Sequence, residues 1–147
     1  MHSCEYSIHI SMEHDFTTIL KEKKLKVTSA RLAILQVFSH ACNPQNAESL
    51  AVRLQGTQIN VVTIYRTLRS LVLAGIIKQI DLRQDSVHFE LAAHHHHHIV
   101  CTKCGGIEGF ETCQIEQVSK AVLKSSRMFK TVQQHSLELF GICNSCA

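Results

Sequence analysis

No apolar run in the 147-residue chain approaches the roughly 20 residues of a membrane-spanning helix; the longest is LVLAGII, Leu71 to Ile77. Proline is nearly absent, Pro44 being the single one, and no Gly- or Ser-rich stretch occurs. A long flexible linker is thereby excluded, and any junction between domains is short. The first residues, MHSCEYSIHISMEHDF, have neither the basic start nor the apolar centre of a secretory signal. There is no internal repeat, and the one low-complexity run is His94–His98. Disordered chains are far poorer in apolar residues than the 45% found here. These absences leave a globular, cytoplasmic protein, either one ordinary domain or two small ones packed together.

Histidine and cysteine are in excess, at eleven and seven. In a cytosolic chain thiols stay reduced, so clustered cysteines are read first as metal ligands or catalytic groups, and the odd count argues against a closed set of disulfides. The net charge of +3 hides an asymmetry. Residues 21–83 carry ten Lys and Arg against three Asp and Glu, a local +7, whereas residues 84–147 carry five against six, a local −1. A basic half joined to a near-neutral one suggests that the first half meets a polyanion; an unevenly charged solvated surface is the plainer alternative.

Four helices are expected in the basic half. The first covers Asp15 to Lys24; Thr28 or Ser29 caps the second, Ala30–Ser39, with Leu32, Leu35 and Phe38 at helical spacing. Asn46 caps the third, Ala47–Gln55, with Leu50 and Leu54 inward. Asn60 caps the fourth, Val61–Ala74, and Gly75 stands at its C-terminal stop. On that helix Val61, Ile64, Leu68, Leu71 and Val72 share one side, and Thr63, Arg66, Thr67 and Ser70 the other. Short polar side chains and an arginine facing outward suit a helix that reads a DNA groove, and suit an ordinary surface helix as well. Two β-rich runs, Ile76–Leu82 and Ser86–Leu91, then form a hairpin, which gives the order of a winged helix-turn-helix.

The composition changes near residue 92. Strands are expected at Ile99–Cys101 and Ile107–Phe110, a helix at Ile115–Ser125 with Ile115, Val118 and Val122 on one side, and strands at Met128–Val132 and Leu137–Ile142. About 50 residues bury little core, so this half calls for a metal staple, a partner chain or both. Cys101–Cys104 and Cys143–Cys146 are two CxxC knuckles that can surround one tetrahedral ion; soft sulfur donors favour zinc, and four thiolates leave no open position for catalysis. A redox CxxC or disulfides are the competing readings. In the histidine run, strand alternation puts His95 and His97 on one face and His96 and His98 on the other, two half-sites whose partners would come from Glu90, Glu108, Glu116 or His135. Cys4, Cys42 and Cys113 lack paired spacing and read as small packing residues, with a redox role for Cys113 as the alternative. His40 and His88 read as surface or wing residues.

These residues together carry a likeness. Leu25–Lys–Val–Thr28–x–x–Arg31, Thr63–Ile–Tyr–Arg–Thr–Leu68, Ala74–Gly75, Phe89–Glu–Leu91, the run from His94 through Cys101–x–x–Cys104–Gly105, and His135–Ser136 ahead of the second CxxC resemble the ferric uptake regulator (Fur) family, over nearly the whole chain from about residue 15. The resemblance implies an α+β chain: a winged helix-turn-helix DNA-binding domain (1–91), then a small α/β dimerisation domain (92–147) with a Cys4 zinc site. It implies a cytoplasmic, homodimeric, metal-responsive repressor of metal-uptake genes, binding palindromic A/T-rich double-stranded DNA and having no enzymatic or membrane role. Structural zinc, one per chain, falls on Cys101, Cys104, Cys143 and Cys146. DNA contacts fall on Lys26, Tyr65 and Arg66, joined by Thr63 from the helix face.

One regulatory metal set carries over to His95, His97, Glu116 and His135, although the second position is often Asp in the family. The other, at the hinge between domains, carries over to Glu90, His96 and His98. There the pattern departs twice: the family's histidine before the third helix falls on Pro44, and its acidic residue after the second strand falls on Gly109. Glu108, one residue away, belongs to the opposite strand face, so the site is either incomplete or completed by another residue such as His88, Asp81 or His40. Fe(II) is slightly favoured as the regulatory metal, with Zn(II) next and Mn(II) also compatible. Three other readings compete: a peroxide sensor, disfavoured by the missing acid at Gly109, a zinc-stabilised DNA-binding protein without sensing, and a zinc enzyme with an open site near His95 and Glu116.

Overall fold

The computed structural model describes residues 15–92, 96–111 and 113–147. The chain divides into two compact units, with the division between residues 94 and 95.

In the first unit each helix begins where a side chain can accept an otherwise unpaired backbone N–H. Asp15 caps α1 (Phe16–Glu22), accepting from Thr17 N at 3.0 Å and from the Thr18 hydroxyl. Thr28 caps α2 (Ser29–His40). A two-residue strand β1 (Gln45–Asn46) leads into α3 (Ala47–Arg53) through a reciprocal box between Asn46 and Ser49. Asn60 caps α4 (Val61–Leu73). The helix ends on Gly75 at φ +68°, where Ile76 N reaches Leu71 O and Gly75 N reaches Val72 O, a closure that needs the left-handed conformation glycine adopts without strain.

Strands β2 (Ile77–Ile80) and β3 (His88–Leu91) form the expected hairpin, registered Ile77 to Leu91 and Ile80 to His88. β1 adds to its other edge, giving the order β1-β3-β2. A strand of two residues has no period to read, so only the fold reveals it. Leu20, Ile34, Leu35, Leu50, Ile64, Leu68 and Leu71 are fully enclosed and make one core across all four helices.

The second unit holds β4 (His97–Cys101), β5 (Ile107–Phe110), α5 (Ile115–Ser125) and β6 (Glu138–Gly141). The sheet order is β5-β4-β6, antiparallel between β4 and β5 and parallel between β4 and β6. The expected strand at Met128–Val132 does not form. After α5 the chain turns at Ser126, whose hydroxyl accepts from Met128 N and Phe129 N, and no described strand lies alongside the segment to pair with it. β-propensity without a neighbouring strand does not make a strand.

This unit has little core: among the described residues Val100 and Cys101 are its buried apolar ones, and α5 buries none. Val118 and Val122, expected on one helix side, are each 54% exposed. Among the described residues no helix is long and apolar enough to cross a membrane.

Candidate metal centres and nucleic-acid interface

Register puts the two cysteine knuckles side by side. In the parallel β4–β6 pair Cys101 stands opposite Gly141, so the chain leaving β4 and the chain leaving β6 turn at the same end of the sheet. Thr102 N donates to Gly141 O at 2.8 Å, and the Lys103 ammonium reaches across to Cys146 O at 2.7 Å. The sulfurs of Cys101, Cys104, Cys143 and Cys146 all lie within 4.8 Å of one another, and Cys104 and Cys143 are 3.7 Å apart. Tetrahedral ligation at about 2.3 Å per sulfur requires neighbouring sulfurs roughly 3.8 Å apart, so the four thiols fit one ion and close its coordination shell.

The four thiols are electrostatically unequal. Backbone N–H groups of Cys143, Cys104 and Lys103 point at the Cys101 sulfur and bring it down to about 6, favouring its thiolate form. Cys146, hydrogen-bonded to the Cys143 and Cys104 sulfurs, is pushed up to about 12.

Gly105 closes the first knuckle at φ +72°, donating its N–H to Cys101 O at 2.9 Å. An L-residue there meets a penalty of about 1–2 kcal/mol. Gly105→Ala should therefore release its metal to a chromogenic chelator roughly 5–30 times faster than the parent chain. An unchanged release rate would mean that this turn does not hold the knuckle.

A second cluster is assembled from three separate elements. His97 opens β4 and is buried, His135 lies just before β6, and Cys113 lies just before α5. The His97 and His135 rings are 5.3 Å apart at 49°, and Cys113 Sγ is 3.7 Å from His135 Nε2. One ligand atom from each of the three falls within 4.8 Å of the others. Sequence reading joined His97 and His135 but gave Cys113 a packing role. Nothing in its spacing, sixteen residues from one histidine and twenty-two from the other, signals the meeting. Glu116, expected as the carboxylate of this set, is exposed in the first turn of α5 and lies outside that tight group. His95 lies outside the described residues.

His96 and His98 share a strand face as expected, their rings meeting edge-on at 4.8 Å. Gly109, opposite His98 on β5, sits beside them: a Cβ there would meet His96 Cδ2 at 3.8 Å, an ordinary contact. The position has room for a Cβ but carries no acidic side chain, and Glu108 is exposed. In the first unit, Glu90 on β3 is buried and paired with Lys78 across the hairpin at 2.9 Å. His88, on β3 of the wing hairpin as one of its two readings had it, is buried and not on the surface, its Nδ1 2.9 Å from Ser86 O. Pro44 is buried and offers no ligand atom. Cys42 is exposed and disulfide-bonded, where a reduced packing residue was expected.

The outer face of α4 differs from the expected one. Thr67 is 7% exposed and part of the buried stripe, whereas Val61 is outside. The stripe is rotated toward Thr67, and the exposed side carries Val62, Tyr65, Arg66 and Arg69. A helical wheel sets Tyr65 beside the apolar side, half in the core, whereas the resemblance makes it a DNA contact; it is 57% exposed, so its outward placement follows the resemblance. The Thr63 hydroxyl donates to Asn60 Oδ1 at 3.0 Å and belongs to the cap. Lys26 is exposed in the loop before α2. Arg31, whose role sequence reading missed, donates to the carbonyl of Lys26 and reaches Ser70 Oγ on α4 at 3.4 Å, tying the Lys26 loop to the helix.

Comparison with known proteins gives this arrangement a context. The model of the ferric uptake regulator family matches residues 22–140. A ferric uptake regulation protein of Legionella pneumophila is 34% identical over 131 residues, spanning 86% of this chain and 95% of the relative. A peroxide-responsive repressor of Staphylococcus saprophyticus is 29% identical, spanning 92% and 94%. Among solved structures, the Vibrio cholerae ferric uptake regulator superposes with a TM-score of 0.75 at 36% identity, covering 88% of this chain and all of that one.

Proposed function

The chain belongs to the ferric uptake regulator family, and from that premise we propose that it represses metal-uptake genes, with Fe(II) as the ion that switches it on. It is a metal-responsive transcriptional regulator and not an enzyme. The observation that carries the reading is the outer face of α4, where Tyr65, Arg66 and Arg69 stand exposed near the N-terminal half of a helix that Arg31 fastens to the Lys26 loop.

In the proposed arrangement residues 1–91 bind DNA and residues 92–147 dimerise. Arg66 and Tyr65 read base edges in the major groove, Thr63 supports them through the helix cap, and Lys26 contacts the backbone or minor groove. Two copies related by a twofold axis place two such helices one turn of DNA apart, which selects a palindrome, here A/T-rich. The apolar surface left open on the second unit, with Val118, Val122, Phe129 and Ile142 exposed, supports a homodimer built through that unit. A cytoplasmic location accords with this role.

Structural zinc is assigned to Cys101, Cys104, Cys143 and Cys146, whose sulfur spacing fits it. The regulatory sets are Glu90, His96 and His98 at the hinge, and His97 and His135 in the second unit, with His95 and Glu116 carried over by resemblance. A divalent ion at the hinge supplies a cross-link between chain segments before and after the domain junction. Glu90 must exchange its Lys78 partner for that role, and His96 and His98 offer imidazole nitrogens from one strand face. Oxygen and nitrogen donors suit Fe(II) there, and the relatives' ferric role points the same way. Zinc is the second reading, favoured by His97 standing where the family often has Asp.

The test is fluorescence anisotropy on an A/T-rich palindromic duplex. Protein keeping its cysteine-bound zinc is titrated anaerobically with Fe²⁺, Mn²⁺ and Zn²⁺. Tightening by Fe²⁺ at the lowest free concentration supports the reading, tightening by Zn²⁺ first replaces it with the zinc alternative, and equal affinity without any metal overturns sensing altogether. In the same assay Arg66→Ala should weaken metal-loaded binding by about 1–3 kcal/mol, or 5- to 150-fold, and relax preference at one position of each half-site. A uniform loss across all sequences would reduce Arg66 to a phosphate contact.

A further inference from the structure

We infer that Cys113, His97 and His135 form a thiolate-bearing zinc site, so that the metal position in the second unit selects zinc by soft-donor chemistry. The inference deepens the proposed function at that metal set, with which it shares His97, His135 and, at the fourth position, Glu116. Three observations converge on it. The ligand atoms come from three elements, β4, the loop before α5 and the loop before β6, yet lie within 4.8 Å of one another. Ligation at about 2.3 Å for sulfur and 2.0–2.1 Å for nitrogen places a tetrahedral S···N pair roughly 3.6 Å apart, and Cys113 Sγ stands 3.7 Å from His135 Nε2. His97 is buried and the other two are half-buried, so the donors face one another inside the unit.

Donor chemistry then sets the metal. One thiolate and two imidazoles make a soft, nitrogen-rich set that favours Zn²⁺ over Mn²⁺ and Fe²⁺, while a carboxylate in place of the thiolate would narrow the difference. Binding replaces the Cys113 S–H proton, which is released to solvent as the metal–sulfur bond forms. Three protein donors leave a fourth position for water or for the Glu116 carboxylate from the first turn of α5.

The competing account of the same distance is a plain thiol–imidazole hydrogen bond between Cys113 and His135. Cobalt separates the two, because thiolate ligation gives Co²⁺ an intense sulfur-to-metal charge-transfer absorption that nitrogen and oxygen donors do not. The full chain, carrying one zinc at its four knuckle cysteines, is titrated anaerobically with Co²⁺ while released zinc is monitored. The expected result is a charge-transfer band that saturates at one equivalent without zinc release, disappears on addition of Zn²⁺, persists in excess Mn²⁺, and is lost in Cys113→Ala. A band of equal intensity in Cys113→Ala, or none in the parent chain, overturns the site. Independently of any variant, one equivalent of Zn²⁺ should protect Cys113 from alkylation in the parent chain, read by mass spectrometry; undiminished alkylation overturns it as well. A His96→Ala/His98→Ala chain should keep the band. Failure of metal-dependent DNA binding would therefore leave this result standing, and the converse holds too.

Discussion

Replacing Cys143 and Cys146 together with serine should unfold the second unit while leaving the first intact. The argument is one of magnitude. A unit of 53 residues with ordinary stability would be held by roughly 3–8 kcal/mol, and among the described residues this one buries only Val100 and Cys101 of its apolar side chains. Structural zinc in small domains contributes roughly 10–16 kcal/mol of apparent binding free energy at neutral pH, which exceeds that margin. The knuckles also pin the sheet: Thr102 bonds Gly141, and Lys103 bonds Cys146, across the parallel β4–β6 seam. The first unit has its own core of enclosed leucines and isoleucines and no part in the cluster. Hydrogen exchange resolved by segment should show protection lost in β4 and β6 and kept in α2 and α4. Zinc content should fall by one per chain, and light scattering should report monomer. Protected β4 and β6 amides in the zinc-free double variant would show that packing, not metal, holds the sheet.

Metal-stimulated DNA binding should vanish when His96 and His98 are both replaced with alanine. Operator affinity of the variant should stay at the metal-free level of the parent whatever ion is added, and the cysteine-bound zinc should remain. The physical basis is population. If the arrangement of domains that fits the operator is a minor state without metal, affinity is reduced by its fractional occupancy, and moving a 1:99 equilibrium to 99:1 takes about 5.5 kcal/mol. Only a ligand that distinguishes the two arrangements can provide that difference. In the proposed function that ligand is the metal ion, held by Glu90, His96 and His98. Anisotropy with and without metal checks the result. A double variant that still responds fully would move the switch to another set, with His97, His135 and Cys113 the next to examine.

Local chemistry made much of this protein legible from sequence. Thr28, Asn46 and Asn60 were readable as helix caps because a cap bonds a backbone N–H only three residues away. Gly75 was readable as a stop for the same local reason. The hairpin of β2 and β3 and the two CxxC knuckles were equally plain, the knuckles because two thiolates three residues apart can reach one ion. The likeness of whole motifs extended this to the family and to Tyr65, which the helical wheel alone had left at the edge of the core.

The tertiary structure decided what depends on partners distant in the chain. Thr67 rather than Val61 completes the buried stripe of α4, because neighbouring elements and not helical periodicity choose the rotation of a helix about its axis. Met128–Val132 has strand composition and no strand beside it. The parallel register of β4 and β6, which brings Cys101 opposite Gly141, is a pairing across forty residues that no local signal encodes. Cys113 reached His97 and His135 in the same way: one strand and two loops, far apart in sequence, converge only in the folded unit. Sequence determines interactions that span a turn of chain, and the packed fold determines which distant side chains become neighbours.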